Sequence, residues 1–303
     1  MPPTVHRIHI RPSGGLGDRR KAFAYCLKEH VLGLGWQTKS KKSGVSWAEY
    51  EKDAEDVHGK KAISRVRYLK ERVHPDDLLW TRDMDGDYYL GYVLKGWEYY
   101  STKEAEDSDI TNVVKCDIHK VSAVDDVPGK VIACFRPQRA IQSIQEPMTK
   151  NYSLHLWNKL SGMSHYKVDL EGIRNIFTFL DAEQTEDVIY IYLQTLGWIV
   201  IPNSRKVDTM KYECYLIRKN DKRRAILQVK SGSTPLDVSE WKNKEEHVIL
   251  FQANNVYVNQ DVEKSVECLD PERIEDFIYN NIDLMPSNIA HWANVARRRS
   301  LAT

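Results

Sequence analysis

Hydrophobic and polar positions recur along the chain with two different periods, and the change of period predicts where helices and strands lie. Helical spacing of apolar residues occurs over residues 19–34, 46–57 and 60–73. Ser46 with Glu49 three residues later is typical of a capping box that begins a helix. β-Branched and aromatic runs then predict successive short strands at 78–83, 87–101, 112–121 and 130–135.

The second half of the chain alternates between the two periods. Residues 185–198, TEDVIYIYLQTLGW, predict a helix that ends at Gly197. Apolar runs at 212–218 and 225–232 flank the polar sequence KNDKR, which predicts a hairpin. A further strand is predicted at 247–253 and a helix from Pro271 onward.

These patterns predict two domains joined by a helical connection. Residues 1–145 are expected to form an α+β domain in which the successive short strands close into a small β-barrel. Residues 146–180 are expected to connect it to a second domain. Alternating helices and strands at 181–303 predict an α/β core with a central mixed sheet.

Composition excludes several classes of protein. The 303 residues include 44 Lys and Arg against 43 Asp and Glu, so the overall charge does not by itself indicate a nucleic-acid partner. The five cysteines are far apart and lack zinc-site spacing, which favours reduced thiols. No apolar run reaches the roughly 18 residues of a membrane span, and the first residues lack a signal-peptide core. We therefore expect a folded cytoplasmic protein without a membrane segment.

One group of polar residues in the second domain predicts chemistry. In ILQVKSG, Gln228 and Lys230 point to the same face because successive side chains of a strand alternate. The hairpin is expected to bring Glu213, at the start of its first strand, beside them. Carboxylate and amide oxygens suit Mg²⁺ or Mn²⁺, and an ammonium group suits the charge that builds during phosphodiester hydrolysis.

The order of these motifs resembles the PD-(D/E)XK nuclease superfamily, especially its Mrr-type restriction endonuclease branch. The likeness covers about residues 181–280 and rests on Glu186 in the helix, Glu213 on the strand, and the sequence Gln228-Val229-Lys230. It implies that Glu213 is the principal metal ligand, that Gln228 adds its side-chain oxygen and that Val229 adds its backbone carbonyl.

The same resemblance implies a role for two further residues. Lys230 would position the attacking water or stabilise the transition state, and Glu186 would bind metal directly or through water. The family's usual acid follows a proline or lies in a short turn, which is not so at Glu213. Asp208, five residues earlier, is therefore a rival first ligand. Gln228 also replaces the more general acid, which lowers the negative charge of the site.

The first domain is similar to EVE domains of the PUA-like superfamily. The likeness is carried by GLGW, HPDDLLWTRD, DYYLGYV and VPGKV over about 110 residues. It implies a barrel with an aromatic-walled pocket for a flipped, modified base, which stacking on aromatic rings would stabilise. The candidate pocket walls are Trp36, Trp80 and Trp97. Arg82 or Asp83 is the candidate group that reads the edge of the base.

Together the two resemblances imply a modification-dependent, type IV-like restriction endonuclease. It would hydrolyse double-stranded DNA, including base-modified DNA, with Mg²⁺, and a homodimer would cut both strands. One alternative is a non-catalytic nucleic-acid or partner-binding protein built on a degenerate nuclease scaffold. Another is a sensor-gated, non-specific DNA or RNA nuclease.

Overall fold

The chain divides into two compact units, Met1–Leu170 and Glu171–Thr303. The structure is a computed structural model, and it describes residues 2–12, 16–39, 42–168, 175–201, 204, 212–241, 244–260 and 265–300. The boundary between the units falls within the connection predicted at 146–180. Each unit has its own sheet and its own hydrophobic core.

The first unit is built on a six-stranded mixed sheet in the order β2-β5-β4-β3-β1-β6. Its strands are β1 (Val5–Ile8), β2 (Val31–Leu34), β3 (Leu78–Arg82), β4 (Tyr88–Tyr99), β5 (Asn112–Lys120) and β6 (Ile141–Ser143). Its helices are α1 (Arg19–Glu29), α2 (Trp47–His58), α3 (Ser64–Arg72), α4 (Lys103–Asp107), α5 (Gly129–Cys134) and α6 (Pro147–Ser161). Strands β1 and β3 are parallel, and the other pairs are antiparallel.

The sheet of the first unit is open, which corrects the prediction of a small PUA-like β-barrel. Strands β2 and β6 form its two edges and do not pair with each other among the described residues. The strands at one end, β1 and β6, have only four and three residues. Because the edges β2 and β6 stay apart, the unit is an α+β fold with an open sheet.

Two elements of the first unit differ from the sequence pattern. The helix predicted over 19–34 ends at Glu29, because His30 takes a left-handed conformation with φ 53° and its N–H bonds to helix carbonyls. Residues 31–34 then form β2 and pair with β5. The strand predicted at 130–135 is wrong, because Gly129–Cys134 form α5 directly after Pro128. Both runs are apolar and short, so their period does not separate helix from strand.

Helix α6 packs within the first unit. The indole N–H of Trp80, on β3, donates to the Ser153 hydroxyl at 3.0 Å. Trp157, one turn further along α6, stacks on Tyr92 with ring centroids 5.5 Å apart. Glu146 begins α6, because its carboxylate accepts the backbone N–H groups of Met148 and Thr149.

The second unit is built on a five-stranded sheet in the order β13-β11-β9-β8-β7. Its strands are β7 (Trp198–Val200), β8 (Cys214–Arg218), β9 (Arg224–Lys230), β11 (His247–Gln252) and β13 (Val266–Leu269). Strands β10 (Leu236–Asp237) and β12 (Tyr257–Val258) form a separate two-stranded parallel sheet. Its helices are α7 (Ala182–Thr195), α8 (Pro271–Asn280) and α9 (Ser287–Ser300). Strand β11 is parallel to both β9 and β13, whereas β7, β8 and β9 form an antiparallel meander. The sheet is thus mixed.

The five cysteines are free thiols. Burial raises the pKa of Cys26 to about 12, so this thiol is neutral at ordinary pH. Among the described residues, no helix combines the length and hydrophobicity needed to span a membrane.

Candidate functional site

The hairpin of β8 and β9 places two of the predicted site residues, Glu213 and Gln228, opposite one another. Arg218 and Arg223 close the turn, since the Arg218 N–H donates to the Arg223 carbonyl at 2.9 Å. At the other end the Glu213 N–H donates to the Leu227 carbonyl at 2.7 Å. The antiparallel register therefore puts Glu213 beside Gln228.

The Gln228 side chain joins two of the predicted metal ligands. Its amide nitrogen Nε2 lies 2.8 Å from Glu213 Oε1 and 3.0 Å from the Val229 carbonyl oxygen, and it donates to both. Gln228 is buried, whereas Glu213 is half-buried. A carboxylate oxygen and a carbonyl oxygen thus both accept from one amide NH₂ group at the end of β9.

Lys230 is the last residue of β9 and is exposed. It shares a face of the sheet with Gln228, because the two are separated by one residue on a strand. Further back on that face, Ile226 packs in a hydrophobic cluster with Leu236 and Trp241. The apolar part of this face therefore gives way to polar groups as β9 ends.

Gln252 also belongs to this end of the sheet, although it was not predicted as a site residue. It pairs with Lys230 across β9 and β11 and is fully buried. Its amide nitrogen donates to the carbonyls of Gly232 and Thr234, at 2.7 and 3.2 Å. The side chain thus fixes the loop that follows Lys230. The sequence feature that could have indicated Gln252 is the polar residue at the end of the apolar run HVILFQ, which resembles the polar end of ILQVK.

Of the two remaining predicted acids, Glu186 is among the described residues and Asp208 is not. Glu186 lies in the first part of α7 and is buried, and Tyr190 donates its hydroxyl to Glu186 Oε2 at 3.5 Å. Helix α7 begins with a capping box in which Asp181 and Gln184 bond reciprocally. Asp208, the rival first ligand, lies outside the described residues.

The donor set at the end of β9 fits a hard divalent cation. Mg²⁺ prefers oxygen ligands and retains several waters, so few protein ligands suffice. Glu213 and Val229 provide two oxygens, and rotation of the Gln228 amide exchanges its N–H group for a third. Among the described residues no three His, Cys, Asp or Glu side chains are grouped to hold a metal. A site here would therefore combine one described carboxylate with amide and backbone oxygens.

The five predicted base-pocket residues have different surroundings in the structure. Trp80 is fully buried, and its indole bonds to Ser153 of α6, which corrects its assignment as a pocket wall. Asp83 instead shapes the β3–β4 turn, because its Oδ1 accepts the N–H groups of Asp85 and Asp87 at 2.9 Å. Arg82 is exposed, with its guanidinium carbon 5.3 Å from the Tyr88 ring centroid.

Trp36 and Trp97 belong to one aromatic cluster, which consists of Trp36, Trp47, Tyr50, Trp97 and Tyr99. The rings of Trp47 and Trp97 meet edge to face at 5.1 Å. The Arg65 guanidinium lies 5.8 Å from the Trp36 ring centroid. Trp36 and Trp97 are both half-buried, so part of each side chain remains accessible.

Asn112 lies at the centre of the aromatic cluster and was not selected from the sequence. It is fully buried. Its Oδ1 accepts the Trp97 indole N–H at 3.0 Å, and its Nδ2 donates to the Gly35 carbonyl and the Tyr50 hydroxyl, at 2.5 and 3.0 Å. These hydrogen-bond partners of Asn112 lie 15 or more residues away along the chain, so no local sequence pattern indicates its role.

Comparison with known proteins adds no relative. No protein-family model matches the chain, and no curated protein matches it in sequence. The nuclease and base-reader resemblances therefore depend on the motif residues themselves and on the geometry around them.

Proposed function

We propose that the protein is a Mg²⁺-dependent endonuclease that hydrolyses DNA phosphodiester bonds with its second unit. The observation that carries the proposal is the position of Gln228 Nε2, within 3.0 Å of both the Glu213 carboxylate and the Val229 carbonyl. The exposed Lys230 ends the same strand on the same face. Oxygen ligands can hold a metal ion that polarises a phosphodiester, and an accessible ammonium group can stabilise the charge that builds during its hydrolysis.

Three groups of the hairpin would hold the metal. They are the Glu213 carboxylate, the Val229 carbonyl and, after rotation of its amide, Gln228. Bound there, Mg²⁺ would supply a Lewis acid for the phosphoryl oxygens. Glu186 of α7 would bind the metal directly or through water, and Asp208 remains the alternative first ligand.

Lys230 would act on the attacking water and on the phosphate. Its ammonium group donates up to three hydrogen bonds and carries a full positive charge. It would orient water and stabilise the negative charge that grows on the phosphoryl oxygens in the transition state. The Gln252 side chain would keep Lys230 in place by holding the loop 231–234.

We further propose that the first unit reads a modified base of double-stranded DNA. Trp36 and Trp97 support this proposal because they share a cluster and are partly accessible. Aromatic rings with an exposed edge or face stack with extruded bases. A homodimer on the DNA would give the two catalytic sites that a double-strand cut requires.

Plasmid cleavage with the Lys230→Ala variant tests the catalytic proposal. We expect cleavage with Mg²⁺ to fall at least about 10²-fold, as for loss of one transition-state donor. Lys222→Ala is the matched control, since this exposed lysine lies in the hairpin turn, away from the end of β9, and should cleave normally. Undiminished cleavage by Lys230→Ala would exclude the mechanism, and absence of cleavage by the unaltered chain would favour a non-catalytic binder.

Binding of methylated and unmethylated duplexes tests the reader. The Lys230→Ala chain allows binding to be measured without cleavage. We expect tighter binding to one modified duplex and loss of this preference in Trp36→Leu. Equal affinity for all duplexes, or tighter binding of RNA, would reject the reader and leave the sensor-gated nuclease.

A further inference from the structure

Arg7 of the first unit is a buried cation with little compensation. It is fully buried on β1, and its Nη1 donates to the Arg139 carbonyl. Its Nε and Nη2 find no hydrogen-bond partner among the described residues. The Phe135 ring lies 5.5 Å from its guanidinium carbon. Because buried charges are normally paired, this arginine calls for an explanation.

No described neighbour supplies the missing negative charge. Burial lowers the pKa of Arg7 to about 10, so the guanidinium stays charged at neutral pH. The Cys134 thiol lies near it, but burial raises the pKa of Cys134, which keeps the thiol neutral. A neutral thiol and an aromatic ring together do not balance a full charge.

An open cavity of about 770 Å³ lies next to Arg7. Arg139, whose carbonyl accepts from Arg7, lines the cavity, as does Cys134. So does Gln142, the residue opposite Arg7 across β1 and β6. Arg7 therefore lies directly behind the wall of the cavity.

The lining of the cavity is itself electropositive. Lys130 and Arg139 contribute two cationic side chains, and Glu146 is the only carboxylate among the residues that line it. Glu146 accepts the first N–H groups of α6, where the positive end of the helix dipole offsets part of its charge. Since a positive field in a region of low dielectric attracts anions, the cavity favours an anionic ligand.

Size and polar groups narrow the class of ligand. A volume of about 770 Å³ exceeds that of an inorganic anion and lies in the range of organic ligand sites. Gln142 and Ser143 place amide and hydroxyl groups in the lining beside the cationic residues. The Tyr68 hydroxyl is held 3.1 Å from His6 Nδ1 and also lines the cavity. An aromatic ring, amides and cations together suit a base, a sugar and a phosphate.

We propose that this cavity binds the phosphate-bearing end of a nucleotide, with Lys130 and Arg139 in its wall and Arg7 as the buried counter-charge behind it. Arg7 acts through its electrostatic field, because its own atoms are covered. The ligand is either a free nucleotide or the 5′ end of a nucleic-acid strand, which share the same terminal phosphate. The site belongs to the first unit and does not depend on the proposed nuclease activity.

Calorimetric titration of the full chain, with divalent ions removed by EDTA, tests this site without involving cleavage. The probes are inorganic phosphate, nucleoside 5′-monophosphates, a short 5′-phosphorylated oligonucleotide and its unphosphorylated twin. We expect binding of the monophosphates, of the phosphorylated oligonucleotide or of both, which identifies the source. Absence of binding by every nucleotide probe, or equal binding of the two oligonucleotides without binding of monophosphates, overturns the proposal.

The double variant Lys130→Gln/Arg139→Gln tests the residues at the cavity. We expect its Kd for the bound nucleotide to rise about tenfold or more, as for loss of charged hydrogen bonds. Arg136→Gln is the matched control, since Arg136 is exposed on the same segment and does not line the cavity. An unchanged Kd in the double variant overturns the assignment.

Arg7→Met separates a ligand-binding role from a structural one. A buried charge kept for a ligand weakens the unliganded fold, so we expect Arg7→Met to keep or raise Tm without ligand while its Kd rises about tenfold. A lowered Tm with unchanged Kd overturns the role of Arg7. Should this variant fail to fold, the double variant at the cavity decides the proposal.

Discussion

Asn112 in the first unit and Gln228 in the second are buried amides with opposite surroundings. Asn112 bonds to a backbone carbonyl and to the polar groups of Trp97 and Tyr50, inside a shell of aromatic rings. Gln228 bonds to the half-buried Glu213 and to its neighbouring carbonyl, two residues before an exposed lysine. The amide of Asn112 thus bonds to groups in the interior of the first unit. The amide of Gln228 bonds to oxygens at an accessible end of a strand in the second unit.

The difference concerns what a ligand would displace. Around Asn112 a ligand would have to break bonds between buried groups, each of which is costly to leave without a partner. Around Gln228 a cation would replace one donor between two oxygens that already point toward it. Burial of an amide therefore does not by itself reveal its role. The partners of Asn112 indicate a structural role, whereas those of Gln228 support the binding site that we propose.

The largest loss of stability is expected for Asn112→Ala. The change leaves the Trp97 indole N–H and the Gly35 carbonyl without their partner in a buried cluster. We expect the free energy of unfolding to fall by about 3 kcal/mol, measured by urea denaturation. Gln138→Ala, an exposed amide in the same unit, is the control. A loss as small as that of the control would show that Asn112 does not organise the cluster.

Trp97→Phe sharpens the comparison by removing a single donor. A smaller aromatic ring remains, but the hydrogen bond to Asn112 Oδ1 is lost. We expect a loss of about 1–2 kcal/mol in the free energy of unfolding. The double variant with Asn112→Ala should lose less than the sum of the two, because both changes remove the same bond. Strict additivity would contradict this coupling.

The free energy of unfolding of the first unit should fall at acid pH because His9 is partly buried. Burial, together with the charge of Arg7, lowers the pKa of His9 to about 4. The unfolded chain binds a proton near pH 6.5, before the folded chain does, so stability is lost as pH falls from 6.5 toward 4. After allowance for solvent screening, we expect a loss of about 1 kcal/mol between pH 7 and 5. His9→Gln should lose that much less over the same interval, measured by thermal unfolding at both pH values.

Gln228→Met is expected to change stability least. Water can replace the lost hydrogen bond at the half-buried Glu213, so the free energy of unfolding should change by less than about 1 kcal/mol. Stabilisation of the chain by Mg²⁺, measured as a shift in Tm, should nevertheless disappear. Gln194→Met on α7 is the control and should retain the shift. A large loss of stability would mean that Gln228, like Asn112, is structural.

Local patterns predicted the elements that carry the candidate active site. The Ser46 and Glu49 capping box is confirmed, as is the hairpin that places Glu213 beside Gln228. Both features depend on residues close in sequence, whose spacing fixes the geometry. The mixed sheet of the second unit was also predicted, and alternation along β9 put Gln228 and Lys230 on one face.

Contacts distant in sequence account for what was not predicted. Trp80 was predicted as a pocket wall from its local sequence. The residue that accepts its indole N–H, Ser153, lies 73 residues away and so could not be predicted from that sequence. Asn112 and Tyr50 are separated by 62 residues, so no local pattern connects them. The barrel prediction was wrong for a similar reason, since the number and type of strands do not determine whether the two edges meet.

The separation of contacts along the chain also has a consequence for how the two sheets form. The Glu213–Gln228 contact closes a loop of only 15 residues, whereas His6 pairs with Ser143, 137 residues further on. Closing a short loop costs less chain entropy, and native contacts of low sequence separation form faster. We therefore expect the carboxylate and amide of the β8–β9 hairpin to meet early in folding, well before the first and last strands of the other sheet find each other.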